Sequence, residues 1–346
     1  MAGDLVLLTG ASGFVGIRVL AIALAHGYRV RCAVRTVAAA EKIHAAKSIK
    51  DLAPTQEQLS MVLVPDIIVP HAHDEAVKGV QYIIHCASPM HPENSTGTED
   101  EVFIQPAVQG SVGMLTSALA YARSTLKRVV ITSSIVAIIP PEYFMGHGDP
   151  TKLPFNADSR VPNLSPPYAP PGFGVYQASK TAALNAIESW RTTNSAPFDI
   201  ITPMPGLITG RDDLATTPEG LAKGGNAILL SLLKGNKSPI PLNSAFVDVD
   251  DVASAHVRAL DPDVPGNQGF VLGKPAHFDK ATSVVKSRFP EAYTDRLFQE
   301  GGEQPTIEVP LDTSKTETVL GIKPTPFQDT VITVAGQYIR LVKGQQ

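Results

Sequence analysis

Tyr176 and Lys180 stand four positions apart, and a pair of serines, Ser133-Ser134, closes an apolar run upstream of them. Residues i and i+4 of a helix share one face, and Val175-Tyr176-Gln177-Ala178-Ser179-Lys180 opens a helix-like stretch. A free tyrosine titrates near pH ~10. A neighbouring ammonium stabilises the phenolate, lowers that value and makes the phenol a usable general acid near neutrality. Of the eight tyrosines, only Tyr176 has lysine at +4. The plain alternative is a solvated helix face, where exposed Tyr and Lys are common. Ligands of open parallel sheets bind beyond the carboxyl ends of the strands, so a serine at the end of Arg128–Thr132 can hydrogen-bond a carbonyl. Either serine meets that description, and both also suit a polar strand end.

A second group of residues suits phosphate. Thr9-Gly10-Ala11-Ser12-Gly13-Phe14-Val15-Gly16 follows a short apolar strand and opens a helix. Gly10 permits a tight turn, Gly13 lets the backbone approach a pyrophosphate, and Gly16 allows close helix–strand packing. The phosphates would meet free N–H groups and the positive end of the helix dipole. Three glycines also occur in ordinary turns; the strand–turn–helix context points to a dinucleotide. NAD sites carry an acid about 20 residues on, for the ribose 2′-hydroxyl. Here no Asp or Glu lies between Gly27 and Ala40, and Arg35 ends the second strand. A guanidinium binds a 2′-phosphate in a bidentate fork, and Lys42 offers a second positive charge. NADPH/NADP+ is the expected cofactor.

These residues need elements to position them, and the first half of the chain provides an alternation. Strand-like runs at Leu5–Thr9, Arg29–Val34, Met61–Val64, Tyr82–Cys86, Arg128–Thr132 and Asp199–Thr202 alternate with helix-like ones at Phe14–His26, Ala38–Ile49, Asp74–Val77, Val108–Tyr121 and Val175–Arg191. The pattern predicts an α/β fold: a Rossmann doubly wound parallel sheet, covered on both faces. Pro140–Gly174 is rich in Pro, Gly and Asn and reads as a long functional loop. Beyond Pro203 the order loosens: helices near Ala222–Leu233, Val249–Leu260, Thr282–Phe289 and Asp329–Val342 surround a strand pair, Phe246–Val247 with Phe270–Leu272. Residues 1–203 are expected to form the NADP-binding domain. Residues 204–346 are expected to form mostly a smaller mixed α/β substrate-binding lobe, with some segments returning to the first domain.

Bulk properties exclude several function classes. The chain has 346 residues, 43% hydrophobic and 18% charged, with net charge −4. No Lys/Arg block invites nucleic acid or an anionic membrane. No run reaches the roughly 18 apolar residues of a membrane span. The residues after Met1 enter a strand without a signal-peptide pattern. Two cysteines, Cys32 and Cys86, both in expected strands, give no disulfide framework and no metal site. The expectation is a cytoplasmic enzyme, monomer or homodimer, with a small-molecule partner and no metal.

Taken together, the motifs resemble the extended short-chain dehydrogenase/reductase superfamily, the NAD-dependent epimerase/dehydratase fold family. Within it they are most similar to dihydroflavonol reductase, cinnamoyl-CoA reductase and the yeast and fungal carbonyl (methylglyoxal-type) reductases. The resemblance runs from Leu5 to about Leu260 and weakly beyond. Thr9–Gly16 resembles the family's TGASGF-(I/V)-G, and Val30–Arg35 its VRxxVR, whose last Arg binds the 2′-phosphate with help from a Lys seven residues later, here Lys42. Pro65-Asp66-Ile67 resembles the acidic-aliphatic pair that contacts adenine. His85-Cys86-Ala87-Ser88-Pro89-Met90 resembles HxA(S/T)PM, whose backbone lines the cofactor. Val130–Ser134 resembles VxTSS, in which the second Ser is catalytic, and this assigns Ser134 with Ser133 as runner-up; Thr132 falls among the cofactor contacts. Tyr176 and Lys180 match YxxSK, and both also touch the cofactor in the family. Pro205-Gly206-Leu207-Ile208 resembles the loop that cradles the nicotinamide amide. Phe246–His256 resembles FVHVDDVAxAH, with Asp248 in place of the usual His; Asp250 and Asp251 read as helix N-terminal charges.

The resemblance implies reduction of a ketone or aldehyde, with Tyr176 as proton donor, Ser134 polarising the oxygen and Lys180 tuning the phenol. The family's assisting Asn has no counterpart in Pro106-Ala107-Val108-Gln109-Gly110, so a water relay from Lys180 is implied. Two rival functions differ in recognisable residues. A nucleotide-sugar dehydratase needs an acid pair after the Ser, where Ile135-Val136-Ala137 stands, and an epimerase usually keeps an acid at the second strand. A non-catalytic NADP sensor on the same fold has little need of both Tyr and Lys. Pro166, Pro167, Tyr168, Pro170, Pro171 and Phe173, with Leu229, Leu232 and Leu233, would suit an apolar carbonyl compound, though such residues more often pack than recognise.

Overall fold

The protein, seen as a computed structural model, is described for residues 3–89 and 96–344. Its centre is a seven-stranded sheet, all of whose pairings are parallel. The strands are β1 (Leu5–Thr9), β2 (Arg29–Val34), β3 (Leu59–Leu63), β4 (Tyr82–His85), β5 (Arg128–Ile131), β6 (Asp199–Pro205) and, much later, β10 (Gln268–Leu272). Their spatial order is β10-β6-β5-β4-β1-β2-β3. The direction of winding reverses between β1 and β4, where Thr9 and His85 are register partners. Such a reversal opens a crevice at the carboxyl ends of the strands.

Alternating side chains along each strand build two cores. Val6, Leu8, Val30, Ile84 and Val130 face one layer, against α1 (Phe14–Ala25). Leu7, Ile83, Val129 and Ile131 face the other, which gathers residues of α4 (Gln105–Tyr121) and α6 (Phe173–Thr193). A strand buried on both faces reads as a continuous apolar run because successive residues point to opposite sides. The expected helix Ala38–Ile49 is two helices, α2 (Val37–Ala45) and α3 (Lys47–Leu52), because Ala46 leaves helical geometry at ψ 131°. Asp74–Val77 forms turns rather than a helix. A π-helical turn, Asp100–Ile104, leads into α4, and α5 (Pro141–Phe144) is a short helix within the Pro-rich segment.

The remaining elements form a smaller mixed lobe. Strands β7 (Leu207–Thr209), β9 (Ala245–Asp248) and β11 (Lys274–Pro275) make a three-stranded sheet, and β8 (Leu242–Asn243) pairs with β12 (Thr306–Ile307). Helices α7 (Pro218–Leu221), α8 (Gly224–Leu233), α10 (Ala281–Arg288), α11 (Pro290–Thr294) and α13 (Phe327–Val342) share a third apolar core. The expected pairing of Phe246–Val247 with Phe270–Leu272 is not formed. β9 lies between β7 and β11, whereas β10 joins the main sheet beside β6, its natural neighbour as a fully buried parallel strand. α9 (Val249–Arg258) likewise returns to pack on α1, and α12 (Ser314–Val319) packs on β10.

Arg128, at the start of β5, fastens these late segments. Its buried guanidinium donates to the carbonyls of Ala259, Asp261 and Val264 at 2.7–2.8 Å and to the Asp199 carboxylate at 3.1 Å. Arg128→Ala strips donors from two fully buried carbonyl contacts. An unsatisfied buried acceptor costs about 1–3 kcal/mol, so we expect roughly 3 kcal/mol less unfolding free energy by urea titration. A loss below about 1 kcal/mol would show that these carbonyls find other donors.

Candidate active site

The first turn of α1 is open to an anion. Its N-cap, Gly13, gives no side-chain hydrogen bond, and no acid sits in that turn. The loop before it is tight: a Cβ on Gly16 would lie 2.0 Å from the Gly10 carbonyl oxygen, and one on Gly10 would lie 2.8 Å from the Ala87 nitrogen. Gly10 also holds φ +78°, a backbone conformation that L side chains rarely adopt. Ser12, Gly13, Phe14 and Val15 remain partly or fully exposed along the rim. Gly13 N–H is taken by the Gly10 carbonyl at 2.9 Å, and the N–H groups of the helix's first turn, with few side chains around them, fit a dinucleotide pyrophosphate.

Arg35 projects from the end of β2 into solvent, just before Thr36, whose hydroxyl caps α2 by accepting from Ala39 N–H at 3.2 Å. Lys42 is exposed on α2. It lies toward the lobe: burial holds the Asp212 carboxyl above its usual range, against the pull of Lys42 and Lys223. The Asp66 carboxylate turns inward on its own backbone, accepting from Ile68 N–H at 3.0 Å, and Ile67 packs near Gly110. Cys86, Ala87 and Ser88 continue from β4 along the crevice; Met90, at the end of the same run, lies outside the described residues. Thr9 ties this edge together: its hydroxyl accepts from Ala87 N–H at 3.1 Å and meets His85 Nδ1 at 2.8 Å.

The two serines face different neighbours. Ser134 is extended (φ −159°, ψ 155°) and caps a 3-10 turn, Ile135–Ala137, by accepting from Val136 N–H at 3.3 Å. Its hydroxyl donates to the Pro205 carbonyl at 3.4 Å, long for such a bond and easily exchanged. Ser133 instead lines a cavity with Lys180. α6 is docked against the Ser134 turn by Gln177, whose buried amide donates to the carbonyls of Ile139 at 2.7 Å and Val136 at 3.3 Å. This anchor holds the neighbouring Tyr176, which is 44% exposed and free to meet a ligand. Lys180 Nζ lies 6.0 Å from the centre of the Tyr176 ring. The crevice therefore brings Tyr176, Lys180 and the Ser134 turn to the same end of the sheet as the glycine loop.

One expectation changes in detail. Pro205–Ile208 is not a loop: Pro205 ends β6, Leu207 and Ile208 begin β7, and Gly206 donates its N–H to Leu272 at 2.7 Å. A side chain at Gly206 would strike the Ala245 carbonyl, which is why the two strands can abut there. The Thr132 hydroxyl is held by α9, and the residue also lines the cavity with Ser133 and Lys180. His256 Nδ1–H reaches the Val252 carbonyl at 2.8 Å, so its Nε2 is an acceptor, and the Thr132 hydroxyl donates to it at 2.7 Å. Leu229, Leu232 and Leu233 are buried in the lobe core, where they pack. Asp250 sits in the first turn of α9 as expected, but pairs with Arg18 of α1 at 2.6 Å and with Arg211 at 3.2 Å. Asp251 accepts from Thr325, and Asp248 caps α9 through Asp250 N–H. Sequence reasoning missed Arg18, Gln177 and the side chains of His85 and His256; a histidine ending an apolar run was the available signal.

The model of the NAD dependent epimerase/dehydratase family matches residues 6–273. A curated relative described as Ketoreductase CTB6, from Cercospora nicotianae, is 37% identical over 349 residues, covering 99% of this chain and 96% of the relative. Among solved structures, Gre2 in complex with NADPH from Candida albicans superposes with a TM-score of 0.81 at 21% identity, covering 98% of this chain and 99% of that one. Yeast methylglyoxal/isovaleraldehyde reductase Gre2 complexed with NADPH gives 0.80 at 22% identity, covering 99% and 100%. The chain belongs to the NAD dependent epimerase/dehydratase family, and its fold is that of these reductases.

Buried histidines around the site make stability depend on pH. Burial pushes His256 down to about 4. His85 falls to about 3 through burial, with His73 and Lys180 adding to it. His73 falls to about 4 through burial. An unfolded histidine takes its proton near pH ~6.5, so below that pH the unfolded chain binds more protons than the folded one. The stability these groups give is complete above about 6.5 and drains away toward their folded values, by roughly 2 kcal/mol per histidine at pH 5. Urea titrations should show unfolding free energy falling between pH 6.5 and 5, with His256→Asn removing about one proton from the slope. A slope unchanged by that variant would mean His256 is charged in the folded protein.

Proposed function

We propose that the protein uses NADPH to reduce a ketone or aldehyde to an alcohol, with Tyr176 as proton donor. The observation that carries this is the Tyr176–Lys180 pair, held by Gln177 beside the Ser134 turn at the carboxyl end of the sheet. The name of its relative, Ketoreductase CTB6, supports the same reaction class. Bound NADPH supplies the hydride. The α1 N-terminus receives the pyrophosphate, Arg35 and Lys42 the 2′-phosphate, and Asp66 and Ile67 the adenine. The backbone of Cys86, Ala87 and Ser88 and the segment Pro205–Ile208 line the nicotinamide end.

Within that frame the chain's residues have distinct tasks. The Tyr176 hydroxyl delivers a proton to the substrate oxygen as negative charge builds there. Ser134 trades its long bond to Pro205 for one to the same oxygen, which stabilises that charge. Lys180 favours the phenolate that Tyr176 becomes. Water elimination from a sugar has no acid to serve it here, since Ile135, Val136 and Ala137 follow Ser134 and are buried. We assign residues 1–203 to cofactor binding and most of 204–346 to the substrate side. Free thiols at Cys32 and Cys86 suit a reducing, cytoplasmic setting.

The decisive assay is NADPH oxidation against a panel of ketones and aldehydes, with product chirality. Tyr176→Phe should lose about 10²–10⁴-fold in kcat while NADPH still binds. Wild-type turnover in that variant, or turnover of nucleotide sugars and no carbonyl, would overturn the proposal. Arg35→Ala should weaken NADPH binding by about 10–100-fold and leave NADH unaffected, as for one lost charge-assisted fork. Equal loss for both dinucleotides would remove Arg35 from the 2′-phosphate.

A further inference from the structure

Between β6, β10 and the second half of α6 lies a cleft of about 110 Å³. Arg191 on its wall stands three turns of α6 beyond Lys180, about 16 Å along the helix axis. A water needs about 10–15 Å³ of such space, so the cleft takes a molecule of several heavy atoms. Its floor is Ile187, Ile200, Thr202 and Gly269. Gly269 keeps that floor open: a Cβ there would lie 2.6 Å from Met204 Cε and 3.3 Å from Thr202 Oγ1. Two polar groups of the lining have unused capacity. Thr202 is 7% exposed, and among the described residues nothing engages its hydroxyl. Buried hydroxyls are nearly always hydrogen-bonded. Arg191 is half-buried, and among the described residues it meets no carboxylate; its one engaged nitrogen, Nη1, donates to the Asn267 carbonyl at 2.9 Å.

We infer that this cleft is a second binding site, for a short carboxylic acid that carries a hydroxyl or carbonyl oxygen near its other end. The carboxylate takes the open edge of Arg191, and the second oxygen meets the Thr202 hydroxyl. A guanidinium fork matches a carboxylate with two parallel hydrogen bonds. The spacing comes from the strand. Asn267 holds left-handed backbone at φ +57°, and its Oδ1 accepts from Ile200 N–H at 3.1 Å. The carbonyl that fixes Arg191 therefore lies at the Ile200 end of the cleft. Thr202 is the next residue on that face, about 7 Å along β6. Ile187 and Ile200, both buried, offer apolar surface for the carbon chain between the two oxygen groups.

The other charges of the lining leave Arg191 as the group that selects. Arg160 is saturated: its Nε donates to Glu188 Oε1 at 2.8 Å and Oε2 at 2.9 Å, and its Nη1 donates to the carbonyls of Ala157 at 2.8 Å and Ser159 at 2.6 Å. Glu188 is neutralised by the same pairing. Asp158 stands exposed at the mouth, where solvent screens it. An inorganic anion would serve Arg191 alone and leave Thr202 and the isoleucines untouched. The site is independent of the reaction proposed above, since no carbonyl has to be reduced for the acid to bind.

Calorimetric titrations test this on the full chain saturated with NADPH, which fills the dinucleotide crevice and leaves an alcohol nothing to reduce. β-Hydroxybutyrate should bind at one site per chain with a dissociation constant of about 1 mM, within what its few heavy atoms allow. Butyrate, which lacks the second oxygen, should bind about tenfold more weakly, and inorganic phosphate more weakly again. Thr202→Val keeps the shape without the hydroxyl; it should erase the difference between the two acids and leave butyrate unchanged. Arg191→Gln should weaken both acids by about tenfold or more, with the NADPH dissociation constant and Tm at their wild-type values. Arg191→Lys keeps the charge without the fork and should lose several-fold, which carries the test if the glutamine variant folds poorly. Four results would overturn the inference. The first is no saturation by β-hydroxybutyrate up to about 50 mM. The second is phosphate binding as tightly as the hydroxy acid. The third is binding that neither Arg191 variant alters, which would place the acid elsewhere, the catalytic crevice included. The fourth is an undiminished preference for the hydroxy acid in Thr202→Val.

Discussion

The register pair Thr9–His85 sits where the sheet changes its winding direction, and the chemistry of the molecule is arranged around that pair. Crossovers on either side carry their helices away from each other, so the carboxyl ends of β1 and β4 are left uncovered. The glycine loop leaves β1 directly after Thr9, and the segment Cys86–Ser88 leaves β4 directly after His85. One hydroxyl, on Thr9, joins them through Ala87 N–H and the His85 ring. A polar side chain at that register is needed because two strand ends buried in an apolar sheet otherwise leave donors without partners.

Around this edge the second lobe is attached by few but buried polar contacts. Arg18, 7% exposed on α1, holds Asp213 at 2.7 Å and Asp250 at 2.6 Å, so the helix that would face a pyrophosphate is tied to the start of α9. His256 on the same helix fixes Thr132, two residues before Ser134. Breaking a buried charge pair on one side is far costlier than losing a surface one. The same short helix, α9, thus ties the helix after the glycine loop to the strand end before the serine turn.

Much of this was legible in the sequence, and the limits have physical causes. β1, α1 and β2 follow from apolar runs punctuated by Gly10 and Gly27, because local turn chemistry decides those boundaries. Tyr176 and Lys180 follow from helical spacing. The choice between Ser133 and Ser134 does not, since adjacent strand residues are equivalent until their two neighbourhoods exist. β10 and β9 look like partners in the sequence because nothing local reveals which sheet a buried strand joins. The split at Ala46 has no glycine or proline to announce it. Leu229, Leu232 and Leu233 could not be told from a substrate wall by composition, and packing claimed them. His85 and His256 sat in plain view, but what a buried histidine does is written in its partners, which are remote in sequence.

The late return of β10 has a consequence for the making of the molecule. β6 is buried along nearly its whole length, and among the described residues its outer edge is paired by β10. During synthesis that edge stays open while the ribosome adds the first part of the lobe, presenting a row of unpaired amides and carbonyls of the kind that recruits other strands. The lobe must therefore fold out of the way, and the chain must reach Leu272, before the sheet is sealed. A fragment ending after β6 would carry the glycine loop, Tyr176 and Lys180, yet it would be a sticky, half-finished sheet.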